Sequence, residues 1–202
     1  MISKKNLLIF YLRKIQEPVS LIYIECGGFF VRERRENMFQ VGDLIIYGNN
    51  GVCRVENIGS MEMQGIPSDR VYYTLVPVYE KKSKLFTPVD NAKVVMRPVL
   101  TEQEANDLID HLTEVQVFTI EDEKNKDLIF KEAFKKCDCM ELVRIIKTIY
   151  EKKLARQAQG KKITAGDERY FKMAEDTLFG ELAVALGIEK KEVGTLIEQR
   201  IA

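Results

Sequence analysis

The sequence predicts an α+β protein in which a small antiparallel β-barrel precedes an all-α helical bundle. Short β-favouring runs separated by turn-rich stretches, without helical periodicity, fill residues 38–98. Amphipathic patterns with capping residues at their starts fill residues 101–202, where strand patterns are absent. The pattern changes between residues 97 and 101, which we take as the boundary between two domains.

The overall composition is that of an ordinary soluble globular protein, and its charge favours no class of partner. The 202 residues are 46% hydrophobic and 31% charged, and 31 basic residues balance 31 acidic ones. A nucleic-acid-binding surface would therefore require local segregation of charge. Scattered cysteines indicate reduced thiols rather than a disulfide framework, which predicts a cytoplasmic protein. The cysteines are Cys26, Cys53, Cys137 and Cys139.

The first 37 residues are predicted to be a non-native or disordered extension. The apolar run at residues 7–12 is too short for a membrane span and poorly shaped for a signal peptide. Arg34-Arg35, if encoded by two AGG codons, would place a ribosome-binding purine tract shortly before Met38. We therefore expect the native chain to begin at Met38. The alternative is a genuine extension that adds strands at residues 21–24 and 29–31.

The first element of the predicted barrel is a β-hairpin over residues 41–55. Residues 44–47 form a short apolar run of the kind favoured in strands. Residues 48–51 read Gly-Asn-Asn-Gly, which tolerates the positive φ angles of a tight turn. An alternating pattern resumes at Val52 and completes the hairpin.

Three later strands are predicted at residues 71–76, 85–88 and 94–96, which brings the sheet to five strands. Pro88 lacks the N–H that a sheet ladder requires, so the 85–88 strand is predicted to lie at an edge or to end there. An edge strand has unpaired backbone groups that a strand of another protein can complete. No catalytic pattern accompanies these strands.

The second half of the chain contains four helix starts, each a capping residue followed three positions later by a carboxylate. The pairs are Thr101/Glu104, Thr119/Asp122, Asp138/Glu141 and Thr164/Asp167. The helices after the last two pairs carry an apolar stripe on one face, which predicts that these faces form the core. The stripes are Leu142, Ile145, Ile146, Ile149 and Tyr150, then Phe171, Ala174, Leu178, Leu182 and Leu186. Gly187 is predicted to end the fourth helix, and residues 189–201 to form a fifth.

Two blocks of the sequence resemble the CarD family of bacterial transcription regulators. The first lies in the hairpin and comprises Gly42-Asp43, Tyr47, Gly51-Val52 and Val55. The second lies in the helical half and comprises residues 142–150, 160–164, 167–170, 174–176 and 180–183. The two blocks occur in the order found in the family, and the resemblance covers residues 38–201.

The resemblance implies a transcription regulator with two contact surfaces. In this family, as in the related module of transcription-repair coupling factors, a Tudor-like barrel binds the β subunit of RNA polymerase. The helical domain contacts promoter DNA and stabilises the open complex. The implied polymerase-binding strand is Leu85, Phe86, Thr87 and Pro88, with Phe86 as its exposed anchor. Alternatively, Phe86 fills the barrel. Arginines that some relatives have at this surface correspond to Met61 and Phe86 here.

Basic residues concentrate in one part of the helical half. Residues 144–162 contain seven basic residues and one acidic residue, a local net charge of +6, whereas residues 163–202 contain five basic and eight acidic residues, a local net charge of −3. Cations on one helix and its following loop neutralise phosphates without reading bases, which predicts sequence-tolerant, salt-sensitive binding to DNA. A solvated helix surface is the alternative. The predicted DNA contacts are Arg144, Lys147, Lys152, Lys153, Arg156, Lys161 and Lys162.

One feature of the family is missing. CarD proteins typically insert a tryptophan into the minor groove at the upstream edge of the promoter bubble, and this chain contains no tryptophan. The nearest aromatic residue at a predicted helix entrance is Phe118, and phenylalanine also serves as a minor-groove wedge. Lys124 and Lys126 would then hold phosphates beside it. Alternatively, Phe118 is a hydrophobic staple for the helix at Thr119. Loss of the tryptophan predicts weaker stabilisation of open promoters, or reliance on the basic helix.

The sequence shows little catalytic or metal-binding chemistry, which predicts a non-enzymatic protein without a cofactor or metal. His111 is the only histidine, which excludes a multi-histidine metal site. Cys137 and Cys139 have the spacing of neither a zinc knuckle nor a C-x-x-C redox motif. Gly160-Lys161-Lys162 lacks the other residues of a phosphate-binding loop.

These expectations together describe a monomeric regulator that binds the RNA polymerase β subunit and promoter DNA but no membrane. Two alternatives stay open. The first is a polymerase-binding adaptor that does not bind DNA. The second is a thiol-based redox or metal sensor that uses Cys137 and Cys139.

Overall fold

The computed structural model describes residues 39–60, 70–80 and 83–201, which form a five-stranded antiparallel sheet followed by five α-helices. The expectations for residues 1–37, for Cys26 and for Met61 lie outside the described residues. The strands are β1 (Leu44–Tyr47), β2 (Val52–Ser60), β3 (Val71–Pro77), β4 (Leu85–Pro88) and β5 (Met96–Pro98). The helices are α1 (Glu102–Asp110), α2 (Lys126–Lys136), α3 (Cys139–Ala158), α4 (Ala165–Leu186) and α5 (Lys190–Ile201).

The sheet has the strand order β4-β3-β2-β1-β5, and every neighbouring pair is antiparallel. The predicted five-stranded antiparallel sheet is thus confirmed, although its last strand, predicted at residues 94–96, lies at Met96–Pro98. Its closure into a Tudor-like barrel is not found in the described residues, because β4 and β5 lie at opposite edges. Both edge strands are short and end at a proline, Pro88 and Pro98, which has no N–H for a further ladder.

The predicted hairpin at residues 41–55 is confirmed as β1 and β2. Its turn is a single 3₁₀ turn over Gly48–Asn50, and Gly48 has a φ of 49°. A Cβ atom on Gly48 would lie 2.7 Å from Cγ1 of Val94, so both the backbone angle and the available space require glycine there. Farther along, a β-bulge between Val55 and Asn57 shifts the register of β2 against β3.

The two parts of the chain have separate apolar cores. The inner face of the sheet buries Ile45, Cys53, Val55, Tyr73 and Leu75. The core of the helical bundle is larger and includes Leu142, Ile145, Ile146 and Ile149 of the predicted α3 stripe together with Ala174, Leu178 and Leu182 of α4. Burying each leucine or isoleucine completely contributes about 1.5–3 kcal/mol, so these stripes determine how α3 and α4 pack.

Three of the four predicted helix starts are confirmed. Thr101 forms a full capping box with Glu104, Asp138 accepts a hydrogen bond from Met140 N, and Thr164 accepts one from Asp167 N. These side chains satisfy backbone donors that have no partner inside the helix. The end of α4 at Gly187 is also confirmed, with a φ of 65°, and α5 begins one residue after the predicted position.

The helix start predicted at Thr119 is wrong, since α2 begins at Lys126. The first part of the segment before it is bonded to α3 side chains. Phe118 N donates to Thr148 Oγ1 over 2.9 Å, and Gln116 O accepts from Arg144 Nε over 3.3 Å. The segment at residues 115–125 therefore runs along α3 and forms a helix only beyond it.

None of the helices within residues 39–60, 70–80 and 83–201 combines the length and the apolar character needed to cross a membrane.

Candidate functional site

The outer edge of β4 has no partner among the described strands. Within this set β4 pairs with β3 alone, in a register that places Thr74 opposite Phe86. The predicted edge position of residues 85–88 is therefore confirmed. Its unpaired backbone groups are the kind of site to which another protein adds a strand.

The side chains of β4 alternate between the two faces of the sheet. Phe86 is 49% exposed, whereas Thr87 is 1% exposed and accepts a hydrogen bond from Asn91 Nδ2 over 2.7 Å. The expectation of an exposed Phe86 is confirmed, and the alternative that it fills the sheet core is wrong. Thr87 can meet a partner only through its backbone. Leu85 packs on the inner core, and Pro88 is half-buried.

A strip of half-buried side chains extends the surface around Phe86 onto β3. Strand register places Tyr72 opposite Pro88 and Thr74 opposite Phe86, so these residues share one face. Tyr73 and Leu75 between them are buried on the other face. We call Tyr72, Thr74, Val76, Phe86 and Pro88 the outer strip. The sequence prediction missed the β3 members, although the alternation in residues 72–76 carries the signal.

The same face of the sheet is covered by helices at its other end. Ile46 and Val52, which lie opposite each other in β1 and β2, are buried in a cluster that includes Cys137 at the end of α2. Half-buried Val184 of α4 also packs on this cluster. The helical bundle therefore leaves the β3–β4 end of the face open.

Phe118 is half-buried and packs on the helical core. The Phe118 ring lies 6.1 Å from the ring of Phe130, and the guanidinium carbon of Arg144 lies 3.9 Å above it. The predicted hydrophobic staple is wrong, because no helix begins at Thr119. Arg144 also pairs with Glu141 over 3.2 Å, so the two predicted DNA contacts Phe118 and Arg144 are engaged with each other and with the fold.

Lys147 lies inside the bundle. Lys147 is 8% exposed, and its Nζ donates to the carbonyls of Leu112, Thr113 and Val115, with 2.9 Å to Thr113 O. Burial lowers the pKa of this ammonium group. Its position on α3 led to the prediction of a phosphate contact, but its donors are directed to the turn that follows α1.

Lys126 and Lys152 meet at a buried carboxylate. Asp167, which is fully buried near the start of α4, lies 2.6 Å from Lys126 Nζ and 3.1 Å from Lys152 Nζ. Glu123 pairs with both lysines from the solvent side. Burial opposes the ionisation of Asp167, but hydrogen bonds from Lys126, Thr164 and Lys152 outweigh it and lower its pKa. This ion network attaches the 115–125 segment to α3 and α4.

The predicted cations that reach solvent gather at the far end of α3. Lys161 and Lys162 are exposed in the turn between α3 and α4, and Arg156 Nε donates to Lys162 O over 2.7 Å. Lys124 is exposed next to Glu123, which pairs with half-buried Lys152. We call Lys124, Lys152, Arg156, Lys161 and Lys162 the basic end. Lys153 is half-buried and acts electrostatically on Glu175.

The two thiols close in sequence have neither the exposure nor the lowered pKa of a reactive cysteine. Cys137 and Cys139 are both buried, and burial raises the pKa of each. Within the described parts of the chain, no three His, Cys, Asp or Glu side chains are grouped so as to hold a metal ion. His111 is exposed, and its Nδ1 lies 2.8 Å from Asp107 O.

One comparison with known proteins bears on the sheet. Residues 39–100 match the family model described as the CarD-like/TRCF RID domain. The match includes all five strands and ends just before Thr101, the cap of α1. The exposed β4 edge and the outer strip both lie inside the matched range.

Proposed function

Since residues 39–100 are a CarD-like RNA polymerase-interacting domain, we propose that this protein is a non-enzymatic transcription regulator that bridges the polymerase β subunit and promoter DNA. The observation that carries the proposal is the outer β4 edge, which no other described strand pairs with, together with exposed Phe86, inside the matched domain. A strand of the β subunit adds to this edge, and backbone hydrogen bonds supply affinity. The outer strip supplies the side-chain contact.

The helical bundle contributes the DNA contact in this proposal. The basic end presents exposed Lys124, Lys161 and Lys162 together with half-buried Lys152 and Arg156. Lysine and arginine contacts to phosphates give affinity that falls steeply with salt and depends little on sequence. We exclude Lys126 and Lys147 from the DNA contact, because both residues are buried and their ammonium groups are held inside the fold. Half-buried Lys152 also pairs with Asp167 but keeps part of its side chain at the surface.

The regulator acts through a difference in affinity between two states of the promoter. Bound simultaneously to polymerase and to DNA beside the bubble, it favours the open complex over the closed one. Only a difference in binding free energy between the two states moves this equilibrium. The expected effect is a longer lifetime of the open complex, and an unchanged lifetime with the protein at saturation would contradict the mechanism.

The polymerase contact is tested by measuring the affinity of the full-length protein for RNA polymerase. Phe86→Ala is expected to weaken binding about 30-fold, the effect of losing about 2 kcal/mol at an aromatic anchor. Leu128→Ala is the matched control, since Leu128 is a 61% exposed apolar residue of α2. Equal affinities of the two variants would refute the assignment of Phe86.

The DNA contact is tested by the salt dependence of binding to a promoter fragment. Each phosphate contact contributes about 0.9 to the slope of log affinity against log salt concentration, so Lys162→Glu is expected to reduce the slope by about 1. Lys191→Glu is the control, because exposed Lys191 lies on α5 at the opposite end of α4.

A second candidate function is an adaptor that binds polymerase but not DNA. It is favoured by the burial of Lys126 and Lys147 and by the packing of Phe118 under Arg144. Polymerase binding that depends on Phe86, combined with DNA binding that is undetectable at low salt, would establish the adaptor and exclude the regulator.

A further inference from the structure

The sheet and the helical bundle meet along a row of residues on one face of the sheet. Ile46 in β1 lies opposite Val52 of β2 on one side and opposite Arg97 of β5 on the other. Ile46 and Val52 are buried against Cys137. Arg97 completes the row with a charged side chain that enters the bundle.

The guanidinium of Arg97 joins three elements. Its Nη1 and Nη2 donate to the two carboxylate oxygens of Glu181 in α4, over 2.5 and 2.7 Å. Its Nε donates to Cys137 O over 2.7 Å, at the end of α2. Two parallel bonds to one carboxylate fix the orientation of both partners, because a guanidinium is planar and its donors form a rigid fork.

Glu181 is committed to this contact. Glu181 is only 1% exposed, although its side chain is a carboxylate. Besides Arg97 it accepts hydrogen bonds from Leu100 N over 3.2 Å and from the Cys139 thiol over 3.1 Å. A buried carboxylate requires charge and hydrogen-bond partners, and here both charge and a backbone donor come from residues 97–100, the connection between sheet and bundle.

A second contact lies one residue away on α4. The Tyr79 hydroxyl donates to Gly180 O over 2.9 Å, and a Cβ atom at position 180 would lie 3.1 Å from Tyr79 Cε2. Lys190 Nζ lies 4.7 Å above the ring of Tyr79 and pairs with Asp176. Residues of the segment after β3 and of β5 thus contact adjacent positions of one helix.

We propose that Arg97 and Glu181 form a latch that holds the sheet and the helical bundle in one fixed orientation. Domains joined by a short connection and a small interface normally move relative to each other. The latch prevents that motion by a contact that is directional and has one geometry. Cys139 takes part as a hydrogen-bond donor to Glu181, which gives this buried thiol a structural role.

The latch also has a consequence that rests on the proposed function. A protein that binds polymerase with β4 and DNA with the basic end gains from the second contact only if the two surfaces are held at a matching distance and angle. Arg97 is then a positioning residue for the bridge, although it contacts neither partner.

The latch is tested by ¹⁵N relaxation of the full-length protein, which reports the rotational correlation time of each part. The wild-type protein is expected to show one correlation time for the sheet and the bundle. Arg97→Gln is expected to show two, with the smaller sheet tumbling faster. Arg200→Gln is the matched control, because Arg200 pairs with Asp110 inside the bundle, and it is expected to keep one correlation time.

A second variant covers the case in which Arg97→Gln strands the Glu181 charge and unfolds the bundle. In the double variant Arg97→Gln with Glu181→Gln no buried charge is left without a partner. Two correlation times in a folded variant support the latch. One correlation time in the folded double variant overturns it. Unfolding of the double variant also overturns it, since the pair would then be required for folding rather than for orientation.

Binding measurements separate the latch from the proposed function. Arg97→Gln is expected to retain its separate affinities for polymerase and for DNA, while the gain in DNA affinity that bound polymerase confers falls about tenfold or more. If the wild-type protein binds no polymerase, the proposed function fails and the relaxation result still decides the latch. If both partners bind and the gain is unchanged in the variant, the positioning role alone is refuted.

Discussion

The sheet and the helical bundle differ in what they leave available for partners. Among the described strands, the sheet leaves the outer edge of β4 unpaired and exposes Phe86 beside it. The bundle directs part of its positive charge inward, since Lys126 and Lys147 are bonded to groups within the fold. The residue pattern of an edge strand is enough to infer a binding surface. A run of lysines and arginines in a sequence is not, because some of these side chains turn inward and cannot reach a phosphate.

The largest expected effect concerns the ion network of the bundle. Asp167→Asn leaves Lys126 and Lys152 near a buried neutral amide, and breaking a buried ion pair costs about 3 kcal/mol of unfolding free energy. Urea denaturation at pH 7 measures this loss. Asp176→Asn is the control, because Asp176 is 68% exposed in its pair with Lys190, and it should cost less than about 1 kcal/mol. Similar losses would show that Asp167 has no special role.

The effect of Asp167→Asn should also depend on pH. Because the pKa of Asp167 is lowered in the folded protein, the stability it contributes is complete above its ordinary pKa of 3.8 and is lost as the pH falls through the lower folded value. The difference in unfolding free energy between wild type and variant should therefore shrink below about pH 4. A constant difference down to pH 2 would contradict the ionised state of Asp167.

A smaller effect separates buried from exposed cations. Lys147→Met removes the donor that serves three carbonyls, and unsatisfied buried acceptors cost about 2 kcal/mol. The salt dependence of DNA binding should stay unchanged, unlike in Lys162→Glu. If Lys147→Met kept its stability but reduced the salt dependence of DNA binding, Lys147 would be a surface contact and the distinction between buried and exposed cations would be wrong.

The smallest effect compares two capping threonines. Thr101→Ala removes a capping box and should cost about 1 kcal/mol. Thr119→Ala should cost less than about 0.5 kcal/mol, because no helix begins at Thr119. Thermal unfolding of both variants measures the difference. A larger loss for Thr119→Ala would show that the predicted helix start forms after all.

The elements that the sequence predicts correctly are those specified by local patterns. Residues close together in the sequence determine both the alternation of the strand that buries Leu75 and the apolar stripe of the helix that buries Ile145 and Ile149. The helix predicted at Thr119 does not form, and the chain just before it is held along α3, where Gln116 O and Phe118 N bond to Arg144 and Thr148. A capping motif cannot reveal such long-range contacts.

The candidate surfaces divide in the same way. The edge position of β4 follows from Pro88, which is a property of one residue. The burial of Lys126 depends on Asp167, which is 41 positions away and belongs to another helix. The open sheet also could not be deduced, since closure depends on whether residues of β4 and β5 meet, and no local pattern states this.

The ammonium group of Lys147 links the turn after α1 to helix α3. The carbonyls of Leu112, Thr113 and Val115 follow the end of α1, where the helix dipole is negative, and a cation from α3 neutralises them. The carbonyls of this turn acquire their bonds to Lys147 only once α3 has docked. Amide hydrogen exchange in residues 111–115 should therefore become slow together with that of α3, and the protection of this turn measures how often α3 detaches.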